Sequence, residues 1–367
     1  MYNAQKLALV CLLQSGFTHN DLKNLFLEEG ENTPELVWEG VKNEDISADI
    51  PEERKKKILE KSKKVKVEEI DEILIKRDIQ IIDMHDAEYP DRLKTIGHAP
   101  FFLFVRGTLR SDMPLIGIVG SRKSTNYAER ILEKIIPDTI LARVGVISGG
   151  ATGVDSMAHH ITLENNGYTI AVFGTGIDRC YPAGNKTLFE KILSHGGALI
   201  SHFPLGTGPE VYNFPIRNEI VAALSSGILI PEAALSSGTL ITAQLALEHG
   251  RDVFAVPGDI DRATSEGSNM LIATGQAKCV RCSGDILEEY FDLKSIGAGI
   301  TPIVKTPPTF ENETEKILYE AIENGNDSVD LLLAHTQIPM SDILVNLAML
   351  EIRGHITLSQ MGRYEIV

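Results

Sequence analysis

A chain of 367 residues with 43% hydrophobic content can fill two or three domains, which excludes wholesale disorder. A formal charge of −16 excludes a general polyanion binder, so any nucleic-acid site must be a local set of cations and backbone amides. Four cysteines are too few for a disulfide framework, and no apolar stretch reaches bilayer-spanning length; a soluble, cytoplasmic protein with no membrane contact is expected.

Residues 1–67 read as a small domain of short helices (SAM or helix-hairpin-helix-like), with Leu7, Val10, Leu13, Leu22, Leu25 and Phe26 at helical spacing. Breaks are expected at Ser15-Gly16 and Glu29-Gly30. Leu7–Leu13 has no cleavage pattern after it and is expected to form an amphipathic first helix rather than a signal peptide. Pro51 opens a charged helix. Its run Arg54–Lys57, with Lys61, Lys63, Lys64 and Lys66, reads as a solvated face offset by Glu52, Glu53 and Glu60, a DNA-facing arm being the other reading. Short strands and turns are expected from Glu68 to Leu109, including a buried strand at Phe101–Val105.

The region from Ser111 to Tyr290 alternates apolar runs (Leu115–Val119, Val144–Ile147, Ile170–Phe173, Ala198–Ile200, Gly227–Ile230, Val253–Val256) with helical patterns. That alternation predicts an α/β fold with an extended, Rossmann-like, doubly wound parallel sheet over about 68–293, whose ligands sit beyond the carboxyl ends of the strands. Residues 294–310 read as a linker. Residues 311–367 suggest three helices and a hairpin, a winged-helix-like domain. Its 10 acidic against 3 basic residues argue for a regulatory or protein-binding module rather than a groove-reading one.

Glycine- and serine-bearing loops follow these strands. In Gly120-Ser121-Arg122-Lys123, free amides at a helix start make an anion site, and Arg122 reads equally as a phosphate clamp or as the exposed arginine of a tight turn. Ser148-Gly149-Gly150-Ala151-Thr152-Gly153 and Gly174-Thr175-Gly176 repeat the pattern, although Arg179 breaks the dinucleotide fingerprint at its third glycine. Asn185 and Lys186 open a further helix, Arg217-Asn218 begin another, and Ser236-Ser237-Gly238-Thr239 add hydroxyls and amides. Arg217 reads equally as a phosphate ligand or as a structural arginine paired with Glu219 or Glu232. Tyr181, Tyr212 and Phe214 lie near these loops, although aromatic residues are sparse at 6%.

This ordered series resembles the DNA-processing protein A (DprA/Smf) family. The resemblance is carried by Gly120-Ser-Arg122, Ser148-Gly-Gly-Ala-Thr-Gly-Val-Asp155, Tyr181-Pro-Ala-Gly-Asn185, Phe214-Pro-Ile-Arg217-Asn218, Glu232-Ala-Ala-Leu-Ser-Ser-Gly-Thr239 and Val253-Phe-Ala-Val-Pro-Gly258. It implies a non-catalytic, cofactor-free protein that coats single-stranded DNA, dimerises through its sheet domain and helps load the RecA recombinase in natural transformation. Arg122, Lys186 and Arg217 would contact phosphates, and the Gly149-Gly150 and Ser237-Gly238 amides would line the same path. Thr152 stands where the family often has a basic residue.

Two other readings compete. A phosphoribohydrolase of the lysine-decarboxylase-like family shares the Ser-Ser-Gly-Thr helix start, but Thr242 occupies the position of its catalytic glutamate. A small-molecule nucleotide sensor would explain the glycines but not cations spread over separate strand ends. Cys279 and Cys282 lack a second ligand pair for zinc, so no metal site is expected, and His159 is read as a packed residue with Asp155 a helix cap.

Overall fold

The computed structural model describes residues 2–27, 32–46, 48–111, 113–290, 310, 312–323, 325–336, 338–353, 355–358 and 363–366. The chain divides into two compact units, Met1–Ile296 and Gly297–Val367. The predicted linker falls outside the described residues, apart from Phe310.

The first unit opens with five helices: α1 Ala4–Ser15, α2 His19–Phe26, α3 Pro34–Lys42, α4 Glu52–Ser62 and α5 Val67–Lys76. Asn3 caps α1 by accepting from the Lys6 amide at 3.2 Å, and Gly16 ends it in the left-handed region at φ 104°. Ala8 through Leu13 are all buried. The expected amphipathic first helix is therefore corrected: α1 is apolar on nearly every side and forms the centre of a helical cluster. Thr18 and Asp21 form a reciprocal capping box at the start of α2. A second correction concerns 68–109, where α5 replaces the first of the predicted strands and turns. Its Ile70 and Leu74, four residues apart, pack inward together.

β1 Gln80–Asp83, α6 Asp91–Lys94 and β2 Phe102–Gly107 lead into the sheet. There follow β3 Leu115–Ile118, α7 Asn126–Leu141, β4 Gly145–Ser148, α8 Val154–Glu164, β5 Thr169–Val172, α9 Lys186–Ser194 and β6 Ala198–Ser201. Then come α10 Asn213–Leu224, β7 Gly227–Ile230, α11 Thr239–Glu248, β8 Asp252–Ala255, α12 Glu266–Ala273, β9 Lys278–Cys279 and α13 Gly284–Tyr290. The nine strands are ordered β1-β2-β6-β5-β4-β3-β7-β8-β9. β3 to β9 pair parallel, while β2 pairs antiparallel with both β1 and β6. Strands β3 to β7 are buried along their length, as a parallel sheet covered on both faces requires. From β3 the chain winds outward through β4, β5 and β6, then returns to the other side of β3 as β7. The winding direction thus reverses between β3 and β7, where a crevice opens at the carboxyl ends.

Residues 1–67 share one apolar core with the sheet: Leu9, Leu12, Trp38 and Ile58 belong to the same buried cluster as Phe102, Phe104, Phe173 and Phe189. Polar ties reinforce that junction. The Lys6 ammonium meets Asp83 at 2.6 Å, and His19 Nε2 lies 2.7 Å from the His202 carbonyl oxygen.

The second unit has α14 Glu313–Glu323, α15 Val329–Thr336 and α16 Met340–Ile352, followed by an antiparallel hairpin of β10 Ile356–Leu358 and β11 Tyr364–Ile366. Leu318, Leu332, Ile343, Leu347, Leu350 and Ile356 form its core, and Arg353 holds the buried Glu315 at 2.9 Å.

Candidate functional site

The crevice between β3 and β7 opens into a cavity of about 470 Å³. Val119, Gly120, Ser121, Arg122 and Lys123 line it from the β3 side, Ser237, Gly238, Thr239, Ile241 and Thr242 from the β7 side, and Asp155, Phe214, Arg217 and Asn218 from α8 and α10. A second cavity of about 90 Å³ shares Arg122, Ala151, Phe214 and Arg217 and continues to Gly149, Thr152, Gly174, Tyr181 and Pro182. The two form one groove across several strand ends.

Each wall is fixed by hydrogen bonds, one set of them spanning 107 residues of chain. The Gly120–Thr125 loop is anchored by Glu232, a fully buried carboxylate that accepts from both the amide and the hydroxyl of Thr125 at 2.8 Å. Thr125 in turn caps α7. The same loop meets the β4–α8 loop through Val154 N–H donating to Ser121 O at 3.1 Å. That approach requires Gly153, at φ 82°, because a side chain there would run into the Ser121 carbonyl. The start of α11 is closed by Ser237, whose Oγ accepts from the Thr239 amide at 3.2 Å and donates to the Thr239 hydroxyl at 2.8 Å.

Arg217 is 4% exposed and points into the protein, its guanidinium donating to the carbonyls of Gly149 and Val172 and, through Nε, to Asn218 Oδ1 at 3.0 Å. Gly149 has to be glycine here, since a Cβ would fall on the guanidinium. Burial pulls the Arg217 pKa down to about 10 while the Asp155 charge opposes the fall, so the side chain stays protonated at neutral pH. Burial likewise raises the Asp155 carboxyl, against the pull of Arg217 and the Ala151 amide, which donates to it at 3.2 Å. Neither proposed partner of Arg217 is used: Glu219 lies 3.5 Å from His249, and Glu232 holds Thr125. The Phe214 ring lies close to both guanidiniums, its centroid 5.2 Å from that of Arg122 and 5.9 Å from that of Arg217. Arg122 itself is exposed.

Of the residues singled out in the sequence, Gly120, Ser121, Arg122, Lys123, Arg217, Asn218, Ser237, Gly238 and Thr239 meet around the larger cavity. Gly149 and Gly174 line the smaller one. Four lie elsewhere. The Ser148 hydroxyl is buried and donates to Ile118 O at 2.7 Å, and Gly150 is buried against Phe189. Asn185 Nδ2 donates to Gly150 O at 3.0 Å, so it braces the loop. Lys186 is exposed, lines neither cavity, and lies 3.9 Å from Glu190.

Sequence reasoning missed Thr125, Glu232 and Thr242 as parts of the site and read Asp155 only as a cap. Asp155 braces the glycine loop instead, since Gly153 occupies the N-cap of α8. Thr242 had a signal, because it lies one turn after Thr239 on the same helix face. His159 is fully buried with Nδ1 2.7 Å from Thr169 Oγ1, Cys11 is buried, and Cys279 and Cys282 are free thiols, half-buried and exposed. Among the described residues no helix is long and apolar enough to cross a membrane, and none of the side-chain clusters could hold a metal ion.

Chemically, the groove offers amides at helix starts, two guanidiniums and the Lys123 ammonium against one carboxylate. A doubly wound sheet with such a groove at its switch point defines a Rossmann-like protein. The family model for DNA recombination-mediator protein A matches residues 80–291, and the chain belongs to that family. Protein Smf of Synechocystis is 34% identical over 320 residues, 78% of this chain and 80% of that protein. The X-ray structure of DNA processing protein A from Streptococcus pneumoniae superimposes with a TM-score of 0.65 at 30% identity, covering 79% of this chain and 99% of that one. A second structure, described as showing the single-stranded DNA binding mode of DNA processing protein A from Helicobacter pylori, matches with a TM-score of 0.52 at 27% identity, covering 58% of this chain and 98% of that one.

Proposed function

We propose that this chain binds single-stranded DNA, without catalysis, in the groove at the carboxyl ends of its strands. The observation that carries the reading is the continuity of the two cavities past Arg122, Phe214 and Arg217: one pyrophosphate needs one anion site, whereas this groove continues over four strand ends. Arg122, Lys123 and the amides around Ser237-Gly238 would hold phosphates. Phe214 offers an apolar ring for a base. Arg217 would act from below, keeping the Gly149 loop in place and adding positive potential rather than making the exposed clamp. Lys186 would serve as a rim cation. The binding mode described for the Helicobacter relative supports this choice of ligand.

Asp155, the one carboxylate in the groove wall, is engaged by the Ala151 amide, and a threonine stands at position 242; both favour binding over hydrolysis of a nucleotide. Protection of incoming DNA, its transfer to RecA, dimerisation through the sheet domain and a cytoplasmic setting rest on the family relationship. A regulatory or protein-binding role for the 311–367 region rests on its excess of acidic residues.

The test is fluorescence anisotropy with labelled oligodeoxythymidylate, competed by NAD, AMP or ATP. Arg122→Ala should weaken DNA binding about 10- to 100-fold in all sequence contexts, the loss of a charge-assisted phosphate bond of about 1.5–3 kcal/mol. Unchanged affinity in folded Arg122→Ala, or tighter binding of a mononucleotide than of the oligomer, refutes the reading.

A further inference from the structure

The lysine run first read as a solvated face has a geometry of its own. Residues 54–66 hold eight of the chain's 35 basic residues against one acidic residue, Glu60. Five are engaged by carboxylates: Arg54 by Asp21, Lys55 by Glu52, Lys57 by Glu53, Lys63 by Glu44 and Lys66 by Glu69. Among the described residues, Lys56, Lys61 and Lys64 have no carboxylate within ion-pair distance. Two of these three, Lys61 and Lys64, line a cavity of about 510 Å³, and Arg179 faces them from the loop that follows β5. Its two acidic lining residues are already engaged, Glu69 by Lys66 at 2.6 Å and Asp178 by the Gly206 amide at 2.8 Å. The floor is apolar, formed by Val65, Ile70, Ile73 and Leu205.

This cavity adjoins the groove through a single short loop. Asp178 and Arg179 line the lysine cavity, while Tyr181 and Pro182, in the same loop, line the smaller cavity of the groove. The loop is held at both ends. Arg77 Nη1 donates to Asp178 O at 2.7 Å, and Asn185 donates to the Gly150 carbonyl. Arg179, Cys180 and Tyr181 are exposed along its crest.

We propose that the lysine cavity takes a second segment of the same DNA strand, which leaves the groove past Tyr181, crosses the loop and lays its phosphates against Arg179, Lys61 and Lys64. Unpaired DNA fits better than duplex. Cations on a rim satisfy phosphates in either form, but only exposed bases gain from an apolar floor. The surrounding body repels DNA, with 19 acidic against 13 basic residues over 111–290, so a strand leaving the groove is steered to this neighbouring cationic cavity.

The proposal rests on DNA binding in the groove, and the experiment separates the two. Anisotropy titrations would use oligodeoxythymidylates of about 6 and about 25 nucleotides, one within and one beyond the usual range of single-strand site sizes, with the wild type, Arg122→Ala and the triple variant Lys61→Gln/Lys64→Gln/Arg179→Gln. The triple variant should bind the short oligomer as the wild type does and the long one about tenfold more weakly, with a log K versus log salt slope about 2 shallower for three lost contacts. Arg122→Ala should weaken both. If the triple variant leaves the long oligomer unaffected, or weakens both lengths alike, the second segment is refuted while the groove stands. If Arg122→Ala also has no effect, the groove reading itself fails. Acylation footprinting of the wild-type lysines gives a readout free of folding effects: the long oligomer should protect Lys61 and Lys64 and the short one should not, and equal labelling with both overturns the proposal.

Discussion

Replacing Arg217 by methionine isolates what the buried guanidinium does. Methionine keeps the stem and removes the charge and every donor. The Gly149 and Val172 carbonyls then lose their side-chain donor, and Asp155 loses the positive charge that offsets its burial. An unsatisfied buried acceptor costs about 1–3 kcal/mol, two acceptors lose their donor here, and the Asp155 carboxylate is left with less to offset its desolvation. These penalties overlap, so Arg217→Met should destabilise the first unit by about 3–5 kcal/mol rather than by their sum. Trp38, the chain's single tryptophan, is buried in that unit, so its fluorescence in a urea titration reports this unfolding selectively. Asp155→Asn in the Arg217→Met background should recover part of the loss, because an amide carries no charge to desolvate. A loss below about 1 kcal/mol, or strict additivity of the two substitutions, would refute the account of Arg217 as the brace of the glycine loop.

Acid should weaken the fold. The buried imidazoles of His159 and His202 are pushed down to about 3, so below the unfolded value near 6.5 the unfolded chain takes up protons that the folded chain refuses. Stability is then lost as pH falls, by about 2 kcal/mol per histidine between pH 7 and 5. Asp155, held above its ordinary range, acts in the opposite direction, so the decisive comparison is wild type against His159→Gln; equal pH slopes in urea titrations would contradict the assignment. Glu232→Ala should release Thr125 and the Gly120–Thr125 loop, lowering DNA affinity at least fivefold although position 232 lies outside the cavity walls (about 1 kcal/mol for one lost cap); unchanged affinity would show that the loop holds its shape without the anchor. For the intact protein on the short oligomer, log K against log salt should have a slope of about −2 to −4, from roughly three to five neutralised phosphates in the groove. A flat response would point to a small-molecule site.

The strand ends were legible because glycine and serine after an apolar run have few other physical causes, and the loops that matter stand together at the switch point. The direction of Arg217 was not legible. It occupies the first turns of α10, where spacing alone does not tell a residue facing the loops from one facing solvent. Glu232 was out of reach for another reason: its partner, Thr125, is 107 residues away, and nothing local marks a glutamate as buried. α1 was misread because amphipathicity was expected of a helix at the start of the chain, whereas a helix enclosed by three others needs no polar face. The placement of Lys186 was not legible either. A lysine at a helix start suggested phosphate contact, yet the turn before α9 carries it to the outside of the groove.

The pairing of β2 with β6 has a consequence for any shortened form of the protein. Phe104 to Gly107 run antiparallel to Ala198–Ser201, with β1 beyond them, so the N-terminal segment shields a flank that would otherwise present unpaired backbone. At the opposite flank the two-residue β9 is too brief to template another strand. A fragment beginning after Gly107 would keep the whole groove and bare the fully buried strand β6 to its neighbours in solution. Self-association through that strand, rather than loss of the ligand site, would be its characteristic failure.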